Sequence, residues 1–232
     1  MTDTDEPKAA LLAGASGLVG GYLLDALLEA GDFNRVYAVT RRPLTREHPR
    51  LANRTVQFDK LAAQLTGLTC HTAFCCLGST IRAAGSQQAF RHVDYDYVLS
   101  FAHVAKSAQV QRFVVVSSVG ANPHSRNFYM RTKGETEQAL SLLGFAGLDI
   151  VQPGVLLGWR REMRPLDLAV RLLMPLVNPL LVGSRTMYRG IPARAVAHAM
   201  MGAARIGRRG ICRYTYTGIL TLAKKGGLRP AL

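Results

Sequence analysis

Ala9-Ala10-Leu11-Leu12-Ala13-Gly14-Ala15-Ser16-Gly17-Leu18-Val19-Gly20-Gly21, AALLAGASGLVGG, decides how the rest of the chain is read. The apolar run Ala9 to Ala13 reads as a parallel strand buried on both faces. Glycines follow at Gly14, Gly17 and Gly20, and an apolar periodic segment begins at once and runs from Leu18 to Ala30. Strand, tight glycine turn and helix in that order expose bare N–H groups at the positive end of a helix dipole, where a pyrophosphate is stabilised. Glycine is required there because a Cβ would block backbone approach to phosphate. The candidate pyrophosphate contacts are Gly14, Ser16, Gly17, Leu18 and Val19. The spacing is G-x-x-G-x-x-G rather than G-x-G-x-x-G, and its context after a strand gives it weight.

Outward from this turn, strands and helices alternate. Gly31 stops the first helix, and Val36 to Thr40 reads as the second strand. It ends in Thr40-Arg41-Arg42-Pro43, with no carboxylate at the place where NAD's ribose hydroxyl would be bonded. Two arginines there favour the 2′-phosphate of NADP(H) over NAD; Arg42, held before Pro43, is the one expected to point away. Thr55 to Phe58 reads as a third strand, and Asp59 after it either touches the adenine or caps a helix over Leu61 to Leu65. Thr72 to Leu77 reads as the fourth strand, and its end places Leu77 and Gly78 against a cofactor.

Val93, Tyr97, Phe101, Val104 and Ala108 form a stripe at helical spacing, read as core rather than as cofactor contacts. Phe113 to Ser117 is the fifth strand and delivers Ser117 and Ser118 to the same edge; Leu148 to Val151 is the sixth. Beyond Leu156 the alternation weakens. Helices are expected over Leu166 to Met174 and Ala193 to Arg205, and a late strand over Tyr214 to Thr217. The expected fold is therefore α/β: a Rossmann-type doubly wound parallel sheet in a single domain, with residues 156–232 as an irregular lid on the substrate side.

Tyr129 and Lys133 lie four residues apart on one face of a helix expected to run to about Leu143. An ammonium near a phenol favours the phenolate, which fits the phenol for proton transfer. A serine at the end of the fifth strand would hold a carbonyl oxygen as charge develops. Adjacent strand residues point oppositely, so one serine serves: Ser118, nearer the edge, is preferred, with Ser117 the alternative beside the cofactor.

GASGLVG, VVVSSVGAN and YMRTK together resemble the atypical, extended-type branch of the short-chain dehydrogenase/reductase superfamily. CCLGST, RHVDYDYVL, YMRTKGETE and QPGVLLG are similar to the Tat-interacting protein family within it, over roughly Lys8 to Arg205. The resemblance implies a Rossmann fold, bound NADP(H), and a catalytic set falling on Ser118, Tyr129 and Lys133. It also implies that Tyr129 and Lys133 touch the cofactor and that Pro153 and Val155 meet its nicotinamide end. Many superfamily members carry an asparagine where this chain has Asp94, and the resemblance assigns Asp94 no role.

Composition narrows the alternatives. A net charge of +14 over 232 residues comes mostly from scattered arginines. They lack the interleaved aromatics of a single-strand-binding surface and read as a solvated face rather than a nucleic-acid or anionic-membrane site. Cys70, Cys75, Cys76 and Cys212 have no second ligand pair at zinc spacing, so they read as buried thiols and no metal is expected. The polar, acidic start and the lack of a long apolar run suggest a cytoplasmic protein. The expected partner is a small-molecule substrate, and analogy alone suggests a homodimer through the two long helices. The competing reading is an NADP(H)-binding sensor or scaffold without turnover.

Overall fold

The computed structural model describes residues 8–158 and 181–228. Strand β1 (Ala9–Ala13) leads into helix α1 (Leu18–Ala30), followed by β2 (Arg35–Thr40), β3 (Leu51–Thr55), α2 (Leu61–Gln64) and β4 (Thr72–Cys75). Short helices α3 (Ile81–Ala84) and α4 (Gln87–Arg91) run through a π turn (His92–Asp96) into α5 (Tyr97–Ser107). Then come β5 (Arg112–Val116), α6 (Phe128–Ser141), β6 (Gly147–Val151) and the two-residue β7 (Leu156–Leu157). After the undescribed stretch follow β8 (Ile191–Pro192), α7 (Ala193–Ile206), β9 (Gly210–Tyr214) and α8 (Tyr216–Lys225).

Seven strands pair in the order β3-β2-β1-β4-β5-β6-β9, all parallel, while β7 and β8 pair separately. β1 is central, and its period of two divides its side chains between two cores. Ala10 and Leu12 face a core shared with Leu23, Leu27, Val196 and Met200 of α1 and α7. Ala9, Leu11 and Ala13 face one shared with Val98, Phe101 and Leu140 of α5 and α6. With helices on both faces, the central strands β1 and β4 are buried along their whole length and almost wholly apolar, as a parallel sheet favours. The chain crosses to the other side of β1 between β3 and β4, so the crevice at the carboxyl ends of β1 and β4 is the switch point where such sheets bind ligands.

The edges depart from the sequence reading. The third strand is Leu51–Thr55, not Thr55 to Phe58, and Phe58 opens a 3-10 turn over Phe58–Lys60. The strand LANRT lies at the sheet edge, where Asn53, Arg54 and Thr55 are tolerated; pairing with β2 holds it, helped by Asn53 Nδ2 bonding the Ala38 carbonyl at 3.0 Å and Thr40 Oγ1 at 2.7 Å. The late strand is Gly210–Tyr214 rather than Tyr214 to Thr217, because register with β6 ends at Val151 opposite Tyr214 and a helix starts at Tyr216. β4 stops at Cys75 and β5 at Val116, so Leu77 and Ser117 stand just past their strands.

The C-terminal part is also more regular than it reads. α7 packs on α1 and β9 extends the sheet, so within the stretch expected as a lid, 193–225 belongs to the layered body. The helix expected over Leu166 to Met174 lies outside the described residues. No helix among the described residues is long and apolar enough to cross a membrane.

Candidate active site

The β1–α1 turn has the shape its glycines imply. Gly14 has φ +85°, and a Cβ there would stand 2.6 Å from the backbone carbon and oxygen of Cys76. A Cβ on Gly20 would stand 2.0 Å from the Gly14 carbonyl oxygen, so the helix start is pressed against the turn. The Gly17 N–H donates to that carbonyl at 2.9 Å, and Gly17 begins α1 with no side-chain cap, leaving first-turn N–H groups open. This backbone cradle fits a diphosphate, because any side chain at Gly14 or Gly20 would close it.

A cleft of about 270 Å3 runs from this turn across the carboxyl ends of β2 and β4. Gly14, Ser16, Gly17, Arg41, Leu77 and Gly78, all named from sequence, line it. Arg41 is exposed and has no ion-pair partner among the described residues, whereas Arg42 does not line the cleft. Val19 is buried in the core and Leu18 packs near Gly158, and neither lines the cleft.

Sequence reasoning missed the far wall, formed by Phe58, Val93 and Tyr97. Val93 and Tyr97 read as a core stripe, but the π turn before α5 rotates them to the cleft mouth, with the Phe58 and Tyr97 rings 5.2 Å apart. Nothing in their spacing marks this. Asp59 does not line the cleft. Its carboxylate accepts from Tyr97 Oη at 3.3 Å and meets His92 Nε2 at 3.0 Å, so it braces the wall instead.

Beyond Gly78 the second half of the site begins. Asn127 caps α6 by accepting the Met130 N–H at 3.1 Å, which fixes where Tyr129 and Lys133 emerge. Tyr129 is half-buried with its ring 5.2 Å from Phe90. Lys133 is buried, and its Nζ lies 2.6 Å from Asp94 Oδ1. Burial is the largest single influence and opposes the charge on Lys133, but the Asp94 carboxylate, Tyr129 and Cys75 together outweigh it, and the ammonium is held above the ordinary lysine range. A Cβ on Gly78 would lie 3.4 Å from Asp94 Oδ1 and 3.5 Å from Lys133 Nζ, so this glycine joins the two halves.

The two serines stand just past β5 and their hydroxyls have different partners. Ser117 Oγ donates to Glu137 Oε1 at 2.6 Å, and Glu137 also accepts from Gln152 Nε2 at 2.8 Å and Arg213 Nε at 3.2 Å. The Ser117 hydroxyl is thus committed to a buried network and turned from the cofactor contact expected of it. Ser118 is half-buried, and its hydroxyl has only a 3.5 Å approach to the Val119 carbonyl. The Val119 N–H donates to the Pro153 carbonyl at 3.0 Å, placing the Pro153–Val155 loop beside Ser118. Val155 is exposed there.

Burial pushes the Cys70 thiol up to about 11 and the Cys75 thiol up to about 12, so both are protonated and unreactive at neutral pH. Among the described residues no cluster of His, Cys, Asp and Glu is arranged to hold a metal ion.

The model of the NAD(P)H-binding family matches residues 14–160, more than half of the chain and the span that contains both halves of the site. The chain belongs to the NAD(P)H-binding family. Among curated relatives, protein HTATIP2 of Rattus norvegicus is 40% identical over 162 residues, 68% of this chain and 66% of that protein. The mitochondrial protein FMP52 of Debaryomyces hansenii is 29% identical over 197 residues, 84% of this chain and 82% of its own. The chain thus spans just under two thirds of the rat protein. An oxidoreductase of the short-chain dehydrogenase/reductase family from Burkholderia thailandensis shares the fold with a TM-score of 0.63 at 20% identity, covering 93% of both chains. MoeE5, solved with UDP-glucuronic acid and NAD, shares it with a TM-score of 0.66 at 20% identity, over 96% of this chain and 83% of that one. The NAD(P)H-binding, Rossmann-like architecture read from the glycine turn is therefore established.

Proposed function

We propose that this protein is an NADP(H)-dependent oxidoreductase of the short-chain type that transfers a hydride to or from a carbonyl or alcohol substrate. One observation carries the reading. The phosphate-type cradle at Gly14 and the Lys133 ammonium meet at Gly78, so a dinucleotide on the first would extend toward the second.

The nicotinamide ring, when bound, would supply the hydride to a carbonyl or accept it from an alcohol. The chain's residues do the rest. Backbone N–H groups at Gly17 and Leu18 hold the diphosphate, and the Arg41 guanidinium at the cleft edge takes the 2′-phosphate. NAD is carried by like-folded enzymes such as MoeE5, and the preference for NADP(H) here rests on Arg41. Tyr129 passes the proton at its hydroxyl, Lys133 supplies positive charge beside it, and Ser118, the serine outside the Glu137 network, holds the substrate oxygen.

Fluorescence titration with NADPH and NADH tests both parts. Arg41→Glu should weaken NADPH binding by roughly ten- to a hundredfold, the range of a lost hydrogen bond to a charged group, and leave NADH nearly unchanged. Tyr129→Phe should keep NADPH affinity while reducing carbonyl turnover by about 10²- to 10⁴-fold. No binding of NADPH at micromolar concentration would remove the reading. Binding without turnover in the unmodified protein would leave a cofactor-binding sensor.

A further inference from the structure

The pair formed by Lys133 and Asp94 is almost wholly removed from water, with side chains 7% and 0% exposed. A lone ammonium in such surroundings is driven toward its neutral form. Asp94 is itself fixed. The Ser79 N–H donates to its Oδ2 at 2.8 Å, and its backbone carbonyl accepts from Thr136 Oγ1 at 3.0 Å. Thr136 stands three residues after Lys133 on α6, so two contacts join that helix to the π turn carrying Asp94. Single π turns often mark functional positions because the extra residue re-aims side chains. The pair also lies directly under Gly78, the residue shared by the two halves of the site.

The geometry points to Asp94 as a positioning residue: a fixed counterion that keeps the Lys133 ammonium charged and in place between Gly78 and the Tyr129 face of α6. The catalytic consequence rests on the oxidoreductase reading; the counterion role does not. Three groups face Lys133: Asp94 from the π turn, Tyr129 from its own helix and Cys75 from β4. Burial keeps the Cys75 thiol neutral, and Tyr129 is a phenol, so among the described residues Asp94 supplies the full opposite charge. With that charge removed, burial acts on Lys133 against the weaker influence of Tyr129 and Cys75 alone. The ammonium then loses its proton as pH rises through a value below the ordinary lysine range, whereas in the native chain it keeps the proton above that range.

The test is NMR titration of the full chain labelled at lysine Cε, with the Lys133 signal assigned by its absence in Lys133→Met. The native Lys133 signal should titrate above free lysine, and in Asp94→Asn below it. A native signal at or below the free-lysine range overturns the proposal, and this arm stands even if the variant fails to fold. An Asp94→Asn signal unchanged from the native one overturns it equally. Turnover of 9,10-phenanthrenequinone with NADPH gives the second readout. Asp94→Asn should lose activity at least tenfold more at the alkaline end of the range than at the acidic end. A loss uniform across pH contradicts the role. If the native chain turns over nothing while the NMR shifts appear as expected, the oxidoreductase reading fails and the counterion stands.

Discussion

Gly14 has two separate reasons to be glycine, and they can be measured apart. Its φ of +85° is left-handed, and its absent Cβ would collide with the Cys76 backbone at 2.6 Å. Gly67 shares only the first feature, with φ +72° and nothing within 4 Å of a Cβ. Gly67→Ala should therefore cost about 1–2 kcal/mol, the strain of a left-handed alanine. Gly14→Ala should cost clearly more, because backbone on the neighbouring strand must move, and it should also abolish NADPH binding. Urea denaturation of both variants checks this; equal losses would mean that the turn is not pressed against β4. At this scale the sequence was most informative where one residue type has a steric meaning. Gly14 was readable for that reason. Asp94 was not: its role comes from Lys133 and Ser79, 39 and 15 residues away, meeting it in space.

The same contrast holds for elements. α1 is found at Leu18–Ala30 as read, because an apolar periodic run between glycines admits one interpretation. The polar edge strand β3 has no such signature, since pairing to β2 rather than side-chain burial makes it a strand. The π turn is equally silent, and it carries a pH dependence. His92 in that turn bonds Asp96 Oδ2 and Asp59 Oδ1, both at 3.0 Å, and links the 3-10 turn after β3 to the π turn that leads into α5. The Asp96 hydrogen bond lifts His92 above the ordinary histidine range; burial opposes this slightly and Asp59 adds to the lift. A raised folded-state value gives stability that is fully present below the unfolded value, near 6.5, and is lost as pH rises through the folded one. Thermal unfolding of the native chain and His92→Gln should therefore differ most in mildly acidic solution and converge on the alkaline side. A gap that widens with rising pH would contradict the assignment. The effect is small because His92 is about half exposed.

Across the whole molecule, one topological fact organises the rest: the chain reverses about β1, and the candidate site lies at the carboxyl edge beside that reversal. The layered sheet was legible because parallel strands buried on both faces read as mainly apolar runs; β1, β4 and β6 are buried throughout, with Thr72 and Asp149 their polar exceptions. The far wall of the cleft was not legible, because Phe58 and Tyr97 come from separate elements with no shared motif. The most direct measurement is a crystal structure of the full chain grown with NADPH. The account predicts the diphosphate on the N–H groups at the start of α1, the 2′-phosphate beside Arg41, and the nicotinamide ring across Gly78 within reach of the Tyr129 hydroxyl. Cofactor seated away from the Gly14 turn, or a nicotinamide ring remote from Tyr129, would contradict it.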